Sequence, residues 1–400
     1  FSPVFSALVW ICLLFRATRS QLSASRNQGR PFQRRRRAER QGNWQATKAG
    51  QRGCHLKSAP VASKMGSGVR HVVEHGRATD KGTRYGTLNQ DFSFCEQLPG
   101  PSGASEGEDK AGDVFFGAVM DGHGMLGEDS AELVGRSMAR FLVRKLRSKS
   151  IKDMDTEELE GMMVQGFQRA HAASLELYSN PPPVYDYPKG SPHCSRYRLD
   201  RTGTAPYYRG RQGRVPLECG TTCTTCVLHG NMLAIAHVGD STAVLGYEDA
   251  NQQDYDAEVV TRDHNCKDAE EANRCRAIPE ASVTAENYLR IELGDSECHE
   301  IGMSRALGHR LLTDYGLITT PEVSRLELEP RHCCLILASD GVWDHLSPRE
   351  AVRLVMEEVD GGASAKEAAK ELIHQAVAAG VESPQGEADN ATAIVYILDF

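Results

Sequence analysis

The chain has 400 residues, 40% hydrophobic and 25% charged, a globular composition able to bury a sizeable core in one large domain or two ordinary ones. A formal net charge of -8 argues against a generally cationic nucleic-acid binder, although the amino end takes a large share of the basic residues. Twelve cysteines scattered through so long and apolar a chain point to a reducing compartment rather than a disulfide framework.

Residues 4–15, VFSALVWICLLF, are of signal-peptide length and too short to span a bilayer comfortably. No Met and no cationic segment precede them, while Arg16, Arg19, Arg26, Arg30 and the run Arg34 to Arg37 follow. That order suits a signal anchor better than a cleaved signal, and a truncated or misjoined start fits equally well. The run RRRR reads as a nuclear address or an anionic-surface contact, but a solvated tail is favoured. Residues 1–65 are therefore set aside as a disordered or targeting extension, and the fold is expected from residue 66 to residue 400. A cytoplasmic or nuclear location is expected, with membrane contact, anchoring or secretion only if residues 4–15 are a genuine anchor or signal.

The apolar run FFGAV implies a strand at 114–120 that gives out into "VMDGHG", followed by helices near 128–147 and 155–178. Residues 180–216, rich in Pro, Tyr and Arg and poor in aliphatics, read as an exposed inserted loop, either a partner-docking element or simply solvated. Residues 221–247 read as three short strands broken at His229-Gly230-Asn231 and Gly239-Asp240-Ser241, with turns short enough to imply antiparallel pairing. A strand near 257–261, a mixed-charge flap at 265–300, a strand at 333–338, helices near 348–358 and 363–379 and a last strand, TAIVYIL, complete the map. Strands in hairpin runs and helices in pairs do not make a repeating βαβ pattern, so an α+β fold with helices layered on antiparallel sheets is expected. There is no internal repeat, P-loop or G-x-G-x-x-G after a strand.

Two constellations carry chemistry. Cys219, Cys223 and Cys226 have the C-x3-C-x2-C spacing of an iron–sulfur ligand set, but they fall on a strand pattern in which Cys and Thr act as small fillers, and that reading is preferred. Asp121 and Asp340 each follow an apolar run and precede Gly, Asp389 and Asn390 stand at the mouth of the last strand, and Asp91 sits beside another strand. Carboxylates on rigid strand ends can converge as hard oxygen ligands, suited to Mg²⁺ or Mn²⁺ rather than zinc.

From Asp91 to Phe400 the chain resembles the metal-dependent serine/threonine protein phosphatases of type 2C, the PPM family. The landmarks NQD, DGHG, GTT, VGDS, TRDH, GMSRALG, PEV, ASDGVWD and ADN stand in the family order. The resemblance implies a central antiparallel β-sandwich flanked by helices on both sides, four layers α-β-β-α, with two Mg²⁺ or Mn²⁺ ions at one end. It implies that Asp121 bridges the ions, that the Gly122 carbonyl, Asp340 and Asp389 complete the ligands, and that Asp91 contributes directly or through water. A hydroxide between the ions would attack the phosphorus of phosphoserine or phosphothreonine, and His123 would protonate the leaving oxygen. Arg84, displaced by a couple of residues from the family spacing, is the candidate phosphate anchor, with Lys81 competing. Asp263 and Asp344 match a further, weaker metal position, or cap a turn and a helix.

Gln90 stands where many members have Glu, and His309 replaces a common Asp; activity is expected to survive both. The implied partners are phosphoprotein substrates, with no nucleic acid, and the implied state is a monomer. A pseudophosphatase would be favoured by loss of one of Asp91, Asp121, Asp340 and Asp389, all of which are present. An aspartyl-phosphate enzyme would need a D-x-D pair after the first strand, which is missing.

Overall fold

In this computed structural model residues 71–99, 112–187, 195–202, 206–211, 213–249, 254–293 and 297–399 are described; the extension assigned to 1–65 lies outside them. Two five-stranded sheets, each antiparallel throughout, form the frame. In chain order the first elements are β1 (His71–Asp80), β2 (Phe92–Leu98), β3 (Val114–Met120), β4 (Gly122–Gly124), α1 (Gly127–Leu146) and α2 (Thr156–Ser179). Then come β5 (Val184–Tyr187), β6 (Ser195–Asp200), β7 (Tyr207–Gly210), β8 (Gly213–Pro216), β9 (Cys219–Thr221), β10 (Cys223–His229), β11 (Met232–Val238), β12 (Thr242–Asp249) and β13 (Asp254–Val259). The remainder is α3 (Ala269–Arg276), β14 (Ala281–Val283), β15 (Leu289–Leu293), β16 (Glu297–Ile301), β17 (Leu307–Gly308), β18 (Glu322–Glu327), β19 (His332–Ala338), α4 (Asp340–Trp343), α5 (Pro348–Asp360), α6 (Ala365–Glu382) and β20 (Ala391–Asp399).

One sheet has the order β1-β20-β19-β12-β13 and the other β18-β11-β10-β3-β2. Side chains alternate between the faces of a strand, and each sheet buries both. Phe115, Val119, Cys226, Leu228 and Ile235 of the second sheet share one apolar cluster with Leu245, Leu335, Leu337, Ile394 and Tyr396 of the first. The alternate residues Phe116, Ala118, Met120 and Val227 pack instead with Val134, Met138 and Leu142 of α1 and Met163 and Phe167 of α2. On the far side of the first sheet, Ile336, Ala338, Ala393 and Val395 pack with Val352 and Val355 of α5 and Ala369 and Leu372 of α6. Both of these helices begin where the sequence supplies a capping box, Ser347 with Glu350 and Ser364 with Glu367.

Two expectations need correction. The break at Gly239-Asp240-Ser241 is not a hairpin: β11 pairs with β10 and β18, while β12 pairs with β19 and β13, so the chain crosses there from one sheet to the other. Gly239 at φ 96° makes the crossing, and a Cβ on it would lie 2.5 Å from the Thr222 side chain. The inserted loop at 180–216 is, in its described residues, a four-stranded antiparallel sheet, β5-β6-β7-β8. Its tyrosines supply the apolar area that aliphatics lack: Tyr185, Tyr187, Tyr197 and Tyr208 are buried with Val215, Leu217, Leu126 and Leu88. The 265–300 segment folds as α3 and the β14-β15-β16 sheet around Cys275, Leu289 and Ile291.

Tyr208 is fully buried at the centre of the inserted sheet, so Tyr208→Ala should lower the stability of that sheet by about 3–5 kcal/mol. Hydrogen exchange should show lost protection in β6–β8 with β10 and β11 unchanged; unaltered protection in β6–β8 would refute the packing role.

Candidate active site

Antiparallel register gathers the acidic residues at one end of each sheet. In the second sheet Met120 lies opposite Phe92 and Val238 opposite Cys223, so Asp121 after β3, Asp91 before β2 and Asp240 after β11 share one edge. In the first sheet Ala338 lies opposite Ala393, placing Asp340 after β19 close to Asp389 before β20. Two hydrogen bonds tie the edges together. Ser339 Oγ donates to Asp91 Oδ2 at 2.8 Å, and the Gln90 amide donates to Asn390 Oδ1 at 2.8 Å.

The motif neighbours hold these loops. The Asp121 amide donates to Thr222 Oγ1 at 2.9 Å, and its carbonyl accepts from the Thr222 amide at 2.9 Å and from Thr221 Oγ1 at 2.8 Å. Thr222 Oγ1 lies 2.7 Å from Ser241 Oγ, which links the Asp121 loop to the Asp240 turn. Gly122 could be no other residue, because a Cβ there would meet the Gly127 carbonyl oxygen at 2.3 Å and the Gln90 carbonyl oxygen at 2.6 Å. Gln90, replacing an acid, donates from its side chain to the Gly124 carbonyl at 2.9 Å, a bond that a carboxylate would not make.

Burial and mutual repulsion push these carboxyls above the ordinary range. Asp91 is raised to about 7, first by burial and then by Asp389, against the opposing hydrogen bond from Ser339. Asp121 and Asp340 are pushed well up, by burial first and then by neighbouring charge, that of Asp340 on Asp121 and that of Asp389 on Asp340. Asp240 is raised to about 6 by burial, Asp263 and Asp344. Arg84 is the cation beside Asp389, and Lys267 acts on Asp240. Burial opposes the charge of Arg84, but Tyr85 and Asp389 outweigh that, and its guanidinium forms an ion pair with Asp389. Lys81 instead donates to the Gly86 carbonyl, an exposed contact.

The donor set fits divalent cations. It offers several hard oxygens at one place, and Asp91 Oδ1 is buried without a hydrogen-bond partner. Among the described residues no group of three or more His, Cys, Asp or Glu side chains is arranged to hold an ion as it stands. Asp263, which accepts from Thr242 Oγ1 at 3.2 Å, and Asp344 gather on the Asp240 side. Asp240 was not singled out from sequence, although it carries the same signal as Asp121, an apolar strand running into an aspartate turn.

His123 lies on β4, paired with β9, which pairs in turn with β17, and this brings His309 to it. The two rings stack with centroids 5.9 Å apart and planes 24° from parallel. His309 has φ 49°, and its Nδ1 lies 3.6 Å from Glu218 Oε2. Burial first, and then His309, lower His123 to about 3, while burial raises Glu218 to about 8. His123 Nε2 lies 3.9 Å from Asp121 Oδ1, and neither of its ring nitrogens has a hydrogen-bond partner. The imidazole is thus neutral at pH 7. Neither His309 as its neighbour nor Glu218 was legible as such, since only strand pairing brings them together.

The three cysteines do not converge. Cys219, Cys223 and Cys226 are buried in three different apolar clusters, and burial raises each thiol above its usual range. This removes the iron–sulfur reading.

A family model described as Protein phosphatase 2C matches residues 194–384, a span that includes Asp240, Asp263, Asp340 and Asp344. A protein of Arabidopsis thaliana named Probable protein phosphatase 2C 73 is 32% identical over 292 residues, covering 72% of this chain and 71% of that protein. The chain belongs to the protein phosphatase 2C family. A rice relative of the same name is 29% identical, over 72% of this chain and 64% of its own length. Probable protein phosphatase 2C 33 of Arabidopsis thaliana is 31% identical, but only 38% of its length is covered. Two solved structures share the fold. The serine-threonine phosphatase 2C from Toxoplasma gondii has a TM-score of 0.59 at 21% identity, over 81% of this chain and 94% of that one. A C. elegans sex determining protein has a TM-score of 0.53 at 18% identity, over 86% of this chain and 68% of that one.

A carboxyl whose folded pKa exceeds its unfolded value binds more protons when folded, so stability falls as pH rises toward the folded pKa. The buried histidines act oppositely, but only below about pH 6.5, where their unfolded forms titrate. Between pH 6.5 and 8 Asp91, Asp121, Asp340 and Glu218 therefore govern the slope. In chelator the unfolding free energy read from urea titrations should fall across this interval, by up to roughly 1.4 kcal/mol per pH unit for each proton released. Mg²⁺ should abolish most of the fall. A flat or rising profile in chelator would contradict the electrostatic assignment.

Proposed function

We propose that the chain is an active serine/threonine protein phosphatase that takes phosphoproteins as substrates and depends on two divalent ions, Mg²⁺ or Mn²⁺. The observation that carries this reading is the convergence of half-buried carboxylates from both sheets on one end of the frame, with Arg84 paired to one of them. Asp121, Gly122 through its carbonyl, Asp340, Asp389 and Asp91 would hold the ions, with Asp240, Asp263 and Asp344 available to a further one. The bound ions would supply Lewis acidity toward the phosphoryl oxygens and activate the attacking water. Four layers, α-β-β-α, are the finer reading of the fold, supported by the three apolar clusters that separate helices, sheet, sheet and helices.

The remaining work falls to this chain's own side chains. Arg84 presents a planar guanidinium beside Asp389, suited to orienting a phosphoryl group through paired N–H bonds. His123 is neutral at rest, so it needs an anion to charge it. An incoming phosphate dianion raises the imidazole pKa, and the proton gained can then pass to the departing serine or threonine oxygen.

Asp121→Ala should lose both metal affinity and turnover, whereas His123→Ala should keep metal affinity. His123→Ala should lose about 10²–10⁴-fold in kcat on a phosphothreonine peptide and far less on p-nitrophenyl phosphate, whose leaving oxygen needs little protonation. Equal losses on both substrates would remove the general-acid role. Full activity in excess chelator would remove the metal-dependent reading itself.

A further inference from the structure

The inserted sheet β5–β8 is a folded element that the proposed chemistry does not use. Tyr185, Tyr187, Tyr197 and Tyr208 face inward, so the residues that alternate with them face outward. Val184, Arg198, Arg209 and Arg214 stand directly opposite one another on four adjacent strands, all exposed. Like charges in direct cross-strand register destabilise a sheet, so three arginines abreast need a counter-charge. Asp200 takes two of them, Arg209 at 2.8 Å and Arg214 at 3.6 Å, and Asp186 takes Arg196 in the next row. Arg198 and the turn residue Arg211 have no carboxylate partner among the described residues. The Arg214 guanidinium lies 3.9 Å over the Tyr207 ring, which holds it flat against the sheet. The face is cationic in a chain whose net charge is -8.

Its inner side is fastened to the rim of the acidic site. Tyr187 packs on Tyr85 with centroids 6.4 Å apart, and the Arg84 guanidinium lies 5.2 Å over the Tyr85 ring. Tyr185 donates to Glu128 Oε2 at 3.2 Å in the first turn of α1, just after the Asp121 loop.

We propose that this arginine face docks an Asp/Glu-rich segment flanking the phosphorylated residue of the substrate, which makes it a specificity element. The proposal rests on the phosphatase reading above. Arginine forks match carboxylates, and the sheet that carries them is joined to Arg84 through Tyr187 and Tyr85.

The test uses the full chain with Arg198→Glu/Arg211→Glu, and with the milder Arg198→Gln/Arg211→Gln, positions that break no described ion pair. Three substrates are compared with Mn²⁺: a phosphothreonine peptide with acidic flanks, the same peptide with Ala and Ser flanks, and p-nitrophenyl phosphate. On the acidic peptide the charge-reversed variant should lose about 5- to 30-fold in kcat/KM, carried by KM, with a smaller loss for the Gln variant and a salt-sensitive wild-type value. The other two substrates should stay within about twofold. Unchanged KM on the acidic peptide, or equal losses on all three substrates, would overturn the proposal. If wild type hydrolyses none of them, the phosphatase reading fails separately. Fluorescence anisotropy with the unphosphorylated acidic peptide then decides the docking face: weaker binding by the charge-reversed variant sustains it, and equal binding overturns it. Displacement of that peptide by polyuridylate at a lower concentration than by a second acidic peptide would also overturn it, in favour of a nucleic-acid surface.

Discussion

Half-buried like charge at one end of two sheets is the constraint on which the rest of this protein depends. The charge of Asp389 raises the pKa of Asp91, Asp121 and Asp340, Asp91 and Asp340 raise that of Asp121, and Arg84 pairs with Asp389. Such a cluster is costly to keep in an ion-free protein, because each carboxylate loses hydration and gains a repelling neighbour. It persists because the loops carrying it have little freedom. Thr221 and Thr222 anchor the Asp121 backbone, Ser339 anchors the Asp91 carboxylate, and Asn390 ties the Gln90 strand to the β20 entrance.

The frame does the gathering. A strand that ends next to where its antiparallel neighbour begins puts residues distant in sequence on one edge. Two such sheets, joined across Phe115, Val119, Leu337 and Tyr396, supply acids from both. The crossing at Gly239 delivers Asp240 to the same end while sending the chain into the other sheet. Glycine at 122 belongs to the same logic, since only a residue without Cβ lets the Asp121 loop lie against the Gln90 and Gly127 carbonyls.

Much of this was legible in the sequence. β3 spans the residues its apolar run implied, and α5 and α6 begin within two residues of their expected starts, because apolar periodicity and caps are local signals. β1 and β18 were not, since HVVEHGRATD and EVSRLE mix polar residues into strands that only sheet pairing stabilises. The hairpin expected at Gly239 failed because a short turn fixes the loop length but not the sheet that the next strand joins. The inserted sheet was missed because its core is tyrosine, which composition alone scores as surface. Asp121, Asp340, Asp389 and Asp91 were singled out from strand-end placement and Arg84 from resemblance, and the strand pairing gathers the carboxylates at one end. Asp240 carried the same strand-end signal and was passed over, whereas the His123–His309 stack and Glu218 depend on the β4-β9-β17 pairing, which no local pattern announces.

The direct measurement is equilibrium binding of Mn²⁺ to the folded, chelator-stripped chain, followed by its paramagnetic signal and compared with Asp340→Asn. If the strand-end carboxylates are held apart for cations, wild type should bind two Mn²⁺ ions tightly. The variant should lose at least one while keeping its fold, and it should unfold at higher denaturant than wild type in chelator, because one buried repelling charge is gone. Absence of Mn²⁺ binding by folded wild type, or binding by Asp340→Asn equal to wild type, would contradict the account.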